Sequence, residues 1–237
     1  MSTADPHAAE QHLAEQHPHG GGAREDGIRV AGTAVVLRDG PSGLETLLLR
    51  RPSTGSFADA WVFPGGRVDP ADRAGAQTES DAARTAAVRE TREEAGIRVH
   101  SLAALSRWVP PPEAPARFRT WFFLAREHGD EVHANAGEID EAEWMTPQRA
   151  FERHVAGSLT LFPPTWVTLH GLLVHRTVEE AFAVAGAVAG FETRMVSTEN
   201  GMRAVWAGDE DHPDAGGAAG ARHRLTMDSL PWAYERS

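Results

Sequence analysis

Cysteine is absent from this 237-residue chain. That excludes a disulfide framework and any thiol chemistry, and it suits a reducing cytoplasm. No apolar run approaches the 18 residues that a membrane-spanning helix needs, so no span is expected. The first residues lack a basic stretch followed by an apolar one, so no signal peptide is expected either. Positive charge is in short supply: the formal net charge is −11. Nonspecific binding to nucleic acid or to an anionic membrane is therefore disfavoured. A phosphate-bearing ligand is still allowed, provided metal and local arginines meet it. No internal repeat is visible. What is present is a 41% hydrophobic complement, enough for one domain of ordinary size with an appended subdomain.

Residues 1–27 are rich in His, Gln, Ala and Gly and offer little to bury, so a disordered tail is expected there. His7, His12, His17 and His19 read as part of that solvated tail; a metal-binding tail is the alternative. Ile28 to Leu37 reads as a buried strand, Arg38 to Gly43 as a hairpin turn, and Leu44 to Arg50 as the return strand. Arg51 to Phe57 is a loop. A short strand, Ala60 to Phe63, feeds the turn Pro64-Gly65-Gly66, where glycine opens backbone conformations closed to other residues. Val68 to Ser80 carries loop signals (Asp69-Pro70, Gly75) and is expected to bulge from the surface. Further strands are expected at Ile97 to Val109, Arg117 to Arg126 and Glu138 to Met145. Helices are expected at Pro147 to Ala156, behind a Thr146 cap, and at Pro163 to His175 and Val178 to Val188. An Asn-Gly hairpin signal sits at Glu199-Asn200-Gly201. Asp209 to Gly220 is rich in Gly, Asp and Ala and is expected to be mobile, and Arg222 to Tyr234 closes the chain.

The most informative segment is Arg89-Glu90-Thr91-Arg92-Glu93-Glu94-Ala95-Gly96-Ile97. Asp81 to Ala95 holds no Pro or Gly and is rich in helix formers. Gly96 stands where a helix ends in a left-handed residue. Glu90, Glu93 and Glu94 lie at i, i+3 and i+4 and so share a face. That arrangement is electrostatically poor. Like charges at this spacing cost roughly 0.2–0.5 kcal/mol, and carboxylates in a last turn oppose the helix dipole at roughly 0.3–1 kcal/mol each. Either Arg89 and Arg92 pair a solvated acidic face, or a hard divalent cation removes the penalty by taking carboxylate oxygens.

Together with Phe63-Pro64-Gly65-Gly66 upstream, Arg89, Glu90, Glu93, Glu94, Gly96 and Ile97 resemble the signature of the Nudix hydrolases. Thr91 holds a position that is usually aliphatic. The spacing from Gly66 to Arg89 is longer than the compact family pattern, and Asp81 takes the place of the usual upstream Glu. The resemblance covers residues 28–156 and implies a Nudix-like α/β/α sandwich with a mixed sheet. Residues 157–237 resemble a C-terminal helical extension packed on that domain. The resemblance implies Mg²⁺ or Mn²⁺ as cofactor, with Glu90, Glu93, Glu94 and the carbonyl of Gly65 as metal ligands. It also implies that Glu93 alternatively takes a proton from the attacking water and that Arg89 orients the carboxylates. Glu138 is the candidate later-loop base, with Glu141 second; a surface carboxylate near Asp140 is the other reading of Glu138.

The run from Leu47-Leu48-Leu49-Arg50-Arg51 to Phe-Pro-Gly-Gly, with its long insert and Pro163-Pro164-Thr165, is similar to a Nudix subgroup related to coenzyme A diphosphatases. Arg50, Arg51 and Arg67 are candidate phosphate contacts, or else ordinary surface charge. Arg117 and Arg119 share one strand face and are further candidates. The expected activity is hydrolysis of a nucleoside diphosphate linked to another group, with coenzyme A or an acyl derivative as the leading substrate. NADH, ADP-ribose or a nucleotide sugar is the alternative. A nucleotide sensor that does not cleave is an alternative of a different class. The family habit adds a homodimer to these expectations.

Overall fold

A computed structural model describes residues 28–54 and 57–237. The N-terminal tail and its histidines, together with Gly55 and Ser56, lie outside the described residues. A mixed eight-stranded sheet forms the centre. Its strands are β1 (Arg29–Gly40), β2 (Gly43–Arg50), β3 (Trp61–Val62), β4 (Gly65–Arg67), β5 (Val99–Val109), β6 (Phe118–Glu127), β7 (Glu141–Met145) and β8 (Ala189–Glu192). The principal order is β3-β2-β1-β6-β5-β8, with β4 paired to β1 and β7 to β2. β1 runs parallel to β6 and antiparallel to β2.

The central strands are apolar at nearly every position because both sheet faces are covered. Period-2 alternation sorts their side chains. Val30, Ala34 and Val36 of β1, Leu47 and Leu49 of β2, and Phe123 and Ala125 of β6 face helix α1 (Glu79–Ala95). Val35, Leu37, Leu48, Phe122 and Leu124 face the opposite core, which includes Trp61, Trp108, Trp166 and Trp206. Helices α2 (Pro147–Val155), α3 (Pro163–Leu172) and α4 (Val178–Ala183) belong to that second side. The result is the expected α/β sandwich with a mixed sheet.

Helix α1 begins two residues before the expected Asp81. Thr78 accepts from the Asp81 amide at 3.1 Å, while the Asp81 carboxylate accepts from the Thr78 amide at 3.0 Å. This reciprocal capping box draws Glu79 and Ser80 into the first turn. Gly96 closes the helix at φ 72°, left-handed as expected. The helix can lie close to the sheet because its inner face is Ala82, Ala83, Ala86 and Ala87. Opposite them is Gly32, where a Cβ would fall 1.8 Å from the Ala83 carbonyl oxygen.

Three segments differ from the expectations. The insert after Gly66 does not simply bulge: Ala71–Arg73 forms a 3-10 turn with Asp72 buried against α1. The region after α2 contains more strands than the expected Asn-Gly hairpin, alongside the two expected helices. β8 joins the main sheet, and β9 (Arg194–Ser197), β10 (Met202–Val205), β11 (His223–Thr226) and β12 (Ala233–Arg236) form a four-stranded antiparallel sheet. The Asn-Gly signal marks its β9–β10 hairpin, where Met202 pairs with Ser197. Asp209 to Gly220 is knit together rather than loose. The buried Asp209 carboxylate accepts from the amides of His223 at 2.7 Å and Asp211 at 2.9 Å, and from Nε and Nη2 along one edge of Arg224. His212 Nδ1 accepts from the amides of Asp214 and Ala215. Composition read this loop as mobile because its buried carboxylate finds its arginine on β11, outside the loop.

Candidate metal and diphosphate site

The last two turns of α1 meet β4 edge-on. Antiparallel pairing of Thr33 with Gly65 and of Gly32 with Gly66 lays the glycine backbone beside the helix. Gly65 is obligatory on steric grounds, and a side chain at Gly66 would displace the Glu90 carboxylate. A Cβ at position 65 would lie 2.5 Å from the Gly32 carbonyl oxygen, and one at position 66 would lie 2.4 Å from the Glu90 carboxylate. The approach is tight enough for main chain and carboxylates to act as one surface.

Glu94 is the deepest group of the set. Its side chain is 3% exposed. One oxygen accepts from the Gly65 amide at 2.9 Å and the other from Arg51 at 3.1 Å. Burial pushes its carboxyl up to about 7; the Gly65 amide and Arg51 pull it down without prevailing, and Glu90 and Glu138 add repulsion. Glu90 is half-buried beside it and is also raised, first by burial and then by Glu93 and Glu138, against the pull of Arg89. Two desolvated carboxylates one helical turn apart are thus short of positive charge.

Arg89 distributes its donors over four groups. Nη1 reaches Glu93 at 2.8 Å and Glu90 at 3.0 Å. Nε and Nη2 grip the two oxygens of Asp72 at 3.1 and 2.9 Å, and Nη2 also donates to the Arg67 carbonyl at 3.0 Å. The Asp72 carboxylate raises the Arg89 guanidinium above its ordinary range, and burial works against it. Glu93 is the exposed member of the face, 52% accessible.

The loop 131–140 is tied to the end of α1. The amides of His133 and Asn135 donate to the carbonyls of Ala95 and Glu94, each at 2.9 Å, satisfying acceptors that the helix end leaves open. That anchoring carries Glu138 to the mouth of the site, where it is exposed and close enough to perturb both Glu90 and Glu94. Its side chain makes no hydrogen bond among the described residues, whereas Glu141 is held by Arg50 at 3.3 Å.

The candidate arginines divide. Arg51 is in the site, on Glu94. Arg50 faces three carboxylates, Asp59, Asp140 and Glu141, at 3.3 to 3.5 Å. Arg67 is exposed and touches Asp69 at 3.2 Å. Arg119 pairs with buried Glu79 at 3.0 Å, away from the carboxylate face. Asp81 caps α1 and does not meet Arg89. Sequence reasoning missed Asp72; the signal for it was the Asp69-Pro70-Ala71-Asp72 run, in which Asp72 follows a turn-forming Pro and faces back toward the helix.

Among the described residues no three carboxylates or histidines are gathered as a ready metal cage. The donor chemistry nonetheless fits a hard divalent ion. Glu90 and Glu94 supply only carboxylate oxygens, are partly stripped of water, and carry the excess negative charge that such an ion neutralises.

The family model described as NUDIX domain matches residues 28–163. The CTP pyrophosphohydrolase of Escherichia coli (strain K12) is 30% identical over 125 residues, which span 52% of this chain and 79% of that protein. The crystal structure of a NUDIX hydrolase from Alicyclobacillus acidocaldarius is 28% identical and superposes with a TM-score of 0.61, covering 67% of this chain and 97% of the other.

Proposed function

The chain belongs to the Nudix family of hydrolases, and on that premise we propose that it is a divalent-metal-dependent diphosphatase of coenzyme A or an acyl-coenzyme A. One observation carries the reaction class: Glu94, a buried carboxylate held near 7, stands beside Glu90 against a glycine backbone. Such a pair is unfavourable in isolation and becomes favourable with a divalent cation beside it, which can then also hold a phosphate. Glu90 and Glu94 would hold Mg²⁺ or Mn²⁺, with the Gly65 carbonyl and Glu93 as further donors. When bound, the ion supplies neutralisation of phosphate charge and Lewis acidity toward a phosphoryl oxygen.

The chain's own groups do the rest. Arg51, one residue past β2, lies close enough to Glu94 to turn toward a phosphate once that carboxylate is neutralised. Arg67 offers a second, exposed guanidinium at the rim. Glu138 would take the proton of the attacking water, a role supported by its repulsion of Glu90 and Glu94 and by a carboxylate that makes no hydrogen bond among the described residues. Glu93, already paired with Arg89, is the less suited of the two. Arg89 orients Glu90 and Glu93. The coenzyme A reading rests on the Leu-Leu-x-Arg run leading to Phe-Pro-Gly-Gly and on the long insert. Use in the cytoplasm, as the lack of cysteine suggests, and dimerisation belong to the same proposal.

A second reading, hydrolysis of a nucleoside triphosphate such as CTP, is favoured by the 30% identity to the pyrophosphohydrolase. Product analysis on a panel separates the two. It would hold coenzyme A, acetyl-coenzyme A, CTP, NADH, ADP-ribose and nucleotide sugars, each with Mn²⁺, with Mg²⁺ and with chelator. Metal-dependent release of 3′,5′-ADP from coenzyme A is the expected result. Release of CMP and pyrophosphate from CTP alone would move the assignment to the second reading. Tight nucleotide binding with no cleavage of any member would overturn the hydrolase in favour of a sensor.

A further inference from the structure

The insert between Gly66 and α1 contributes one side chain to the carboxylate face without touching the face itself. Asp72 is 2% exposed, the deepest acid of that segment. Its own position is braced: the Asp69 amide donates to its Oδ2 at 2.8 Å, and its amide donates to the Asp69 carbonyl at 3.1 Å. Its two oxygens then occupy the Nε–Nη2 edge of Arg89. A guanidinium is a rigid planar fork with its donors in fixed directions. With one edge bound to Asp72, only Nη1 is left for Glu90 and Glu93, and it contacts each once. Asp81 stands in the signature position of the upstream acid, yet its oxygens bind Thr78 and Arg84 instead.

Resting on the proposed diphosphatase function, we infer that Asp72 is a positioning residue: it withholds one edge of Arg89 from Glu90 and Glu93 and so leaves their oxygens open to a divalent ion. Without that restraint the guanidinium is free to swing its Nε–Nη2 edge onto Glu90 or Glu93. A bidentate pair there would neutralise a carboxylate that should bind metal. The insert, which reads as surplus in the sequence, thereby replaces the brace that the upstream acid of the signature does not provide. Groups one layer out from metal ligands typically change metal affinity or activity by roughly 10–100-fold when removed.

The test is Mn²⁺ binding to the full chain by electron paramagnetic resonance, which needs no turnover, alongside Mn²⁺-dependent hydrolysis. Wild type, Asp72→Asn, Asp72→Glu and the double variant Asp72→Asn/Arg89→Gln are compared, and thermal unfolding is followed for each. Asp72→Asn is expected to weaken Mn²⁺ binding about 10-fold or more, with the hydrolysis loss partly recovered at high Mn²⁺. Asp72→Glu should restore much of the affinity. In the double variant, removing Arg89 should recover part of the Mn²⁺ affinity lost in Asp72→Asn, because the competing guanidinium is gone. Asp72→Asn with folded protein and wild-type Mn²⁺ affinity overturns the role assigned to Asp72 alone. Wild type that binds no Mn²⁺ overturns the metal-dependent function on which it rests. Should Asp72→Asn unfold, the Asp72→Glu variant decides on the same readout: Mn²⁺ affinity more than 100-fold below wild type in the folded protein overturns the inference.

Discussion

Glu94 and Asp209 are both almost fully buried carboxylates, and they have opposite electrostatic fates. Glu94, 2% exposed at the end of α1, is pushed up to about 7 by burial. Asp209, 0% exposed beside the C-terminal sheet, is held down at about 2. Burial raises both. At Asp209 the bidentate Arg224 and the amides of His223 and Asp211 more than offset it. Arg224 in turn touches Asp211 at 3.1 Å. Every basic side chain here other than histidine is an arginine, and the fork geometry of arginine makes such closed networks possible. At Glu94 one arginine contact and one amide fall short. A buried charge that is fully satisfied serves the fold, whereas one left short of positive charge marks a place where something positive is meant to bind.

The comparison can be broken most sharply at Glu94. Glu94→Gln should lower metal-dependent hydrolysis about a thousandfold or more, roughly 4 kcal/mol of transition-state stabilisation, with the fold retained by circular dichroism. Wild-type turnover would place the metal elsewhere. Asp209→Asn should do the reverse. It leaves the buried Arg224 without its main counter-ion and should cost about 3 kcal/mol in urea unfolding, while activity per folded molecule stays unchanged. A stable Asp209→Asn variant would erase the distinction drawn here.

The finest test is the pH dependence of stability in the absence of divalent ions. Between the ordinary carboxyl value of 4.5 and about 7, folded Glu94 holds a proton that the unfolded chain has released. The wild-type protein therefore loses stability from this group as pH rises through that window, and the penalty is constant above it. Gln does not titrate. The stability of Glu94→Gln relative to wild type should thus increase from pH 4.5 to 7 by roughly 1–3 kcal/mol, measured by chemical unfolding at several pH values. A difference that does not change with pH would mean that Glu94 behaves as a solvated carboxylate.

Much of the local structure was legible in the chain itself. The glycine-terminated helix with Glu90, Glu93 and Glu94 on one face follows from spacing alone, as do the β1–β2 hairpin, the Thr146 cap and the Asn-Gly turn of β9–β10. These are short-range effects, in which a side chain satisfies a backbone group a few residues away or a period sets a face. The clamp of Asp72 on Arg89, the anchoring of Glu138 through the carbonyls of α1 and the closing of Asp209 on Arg224 were decided only when distant segments packed. So was the sorting of the candidate arginines, with Arg51 drawn to Glu94 and Arg50 taken up by Asp59, Asp140 and Glu141. Adjacent in sequence, those two arginines point to opposite sides, because successive side chains in an extended chain alternate. The sequence determined which residues can carry charge, that a helix carries Glu90, Glu93 and Glu94, and that it stops at Gly96. Tertiary structure decided which charges are left without partners, because desolvation and pairing depend on neighbours that the chain brings together from far along its length.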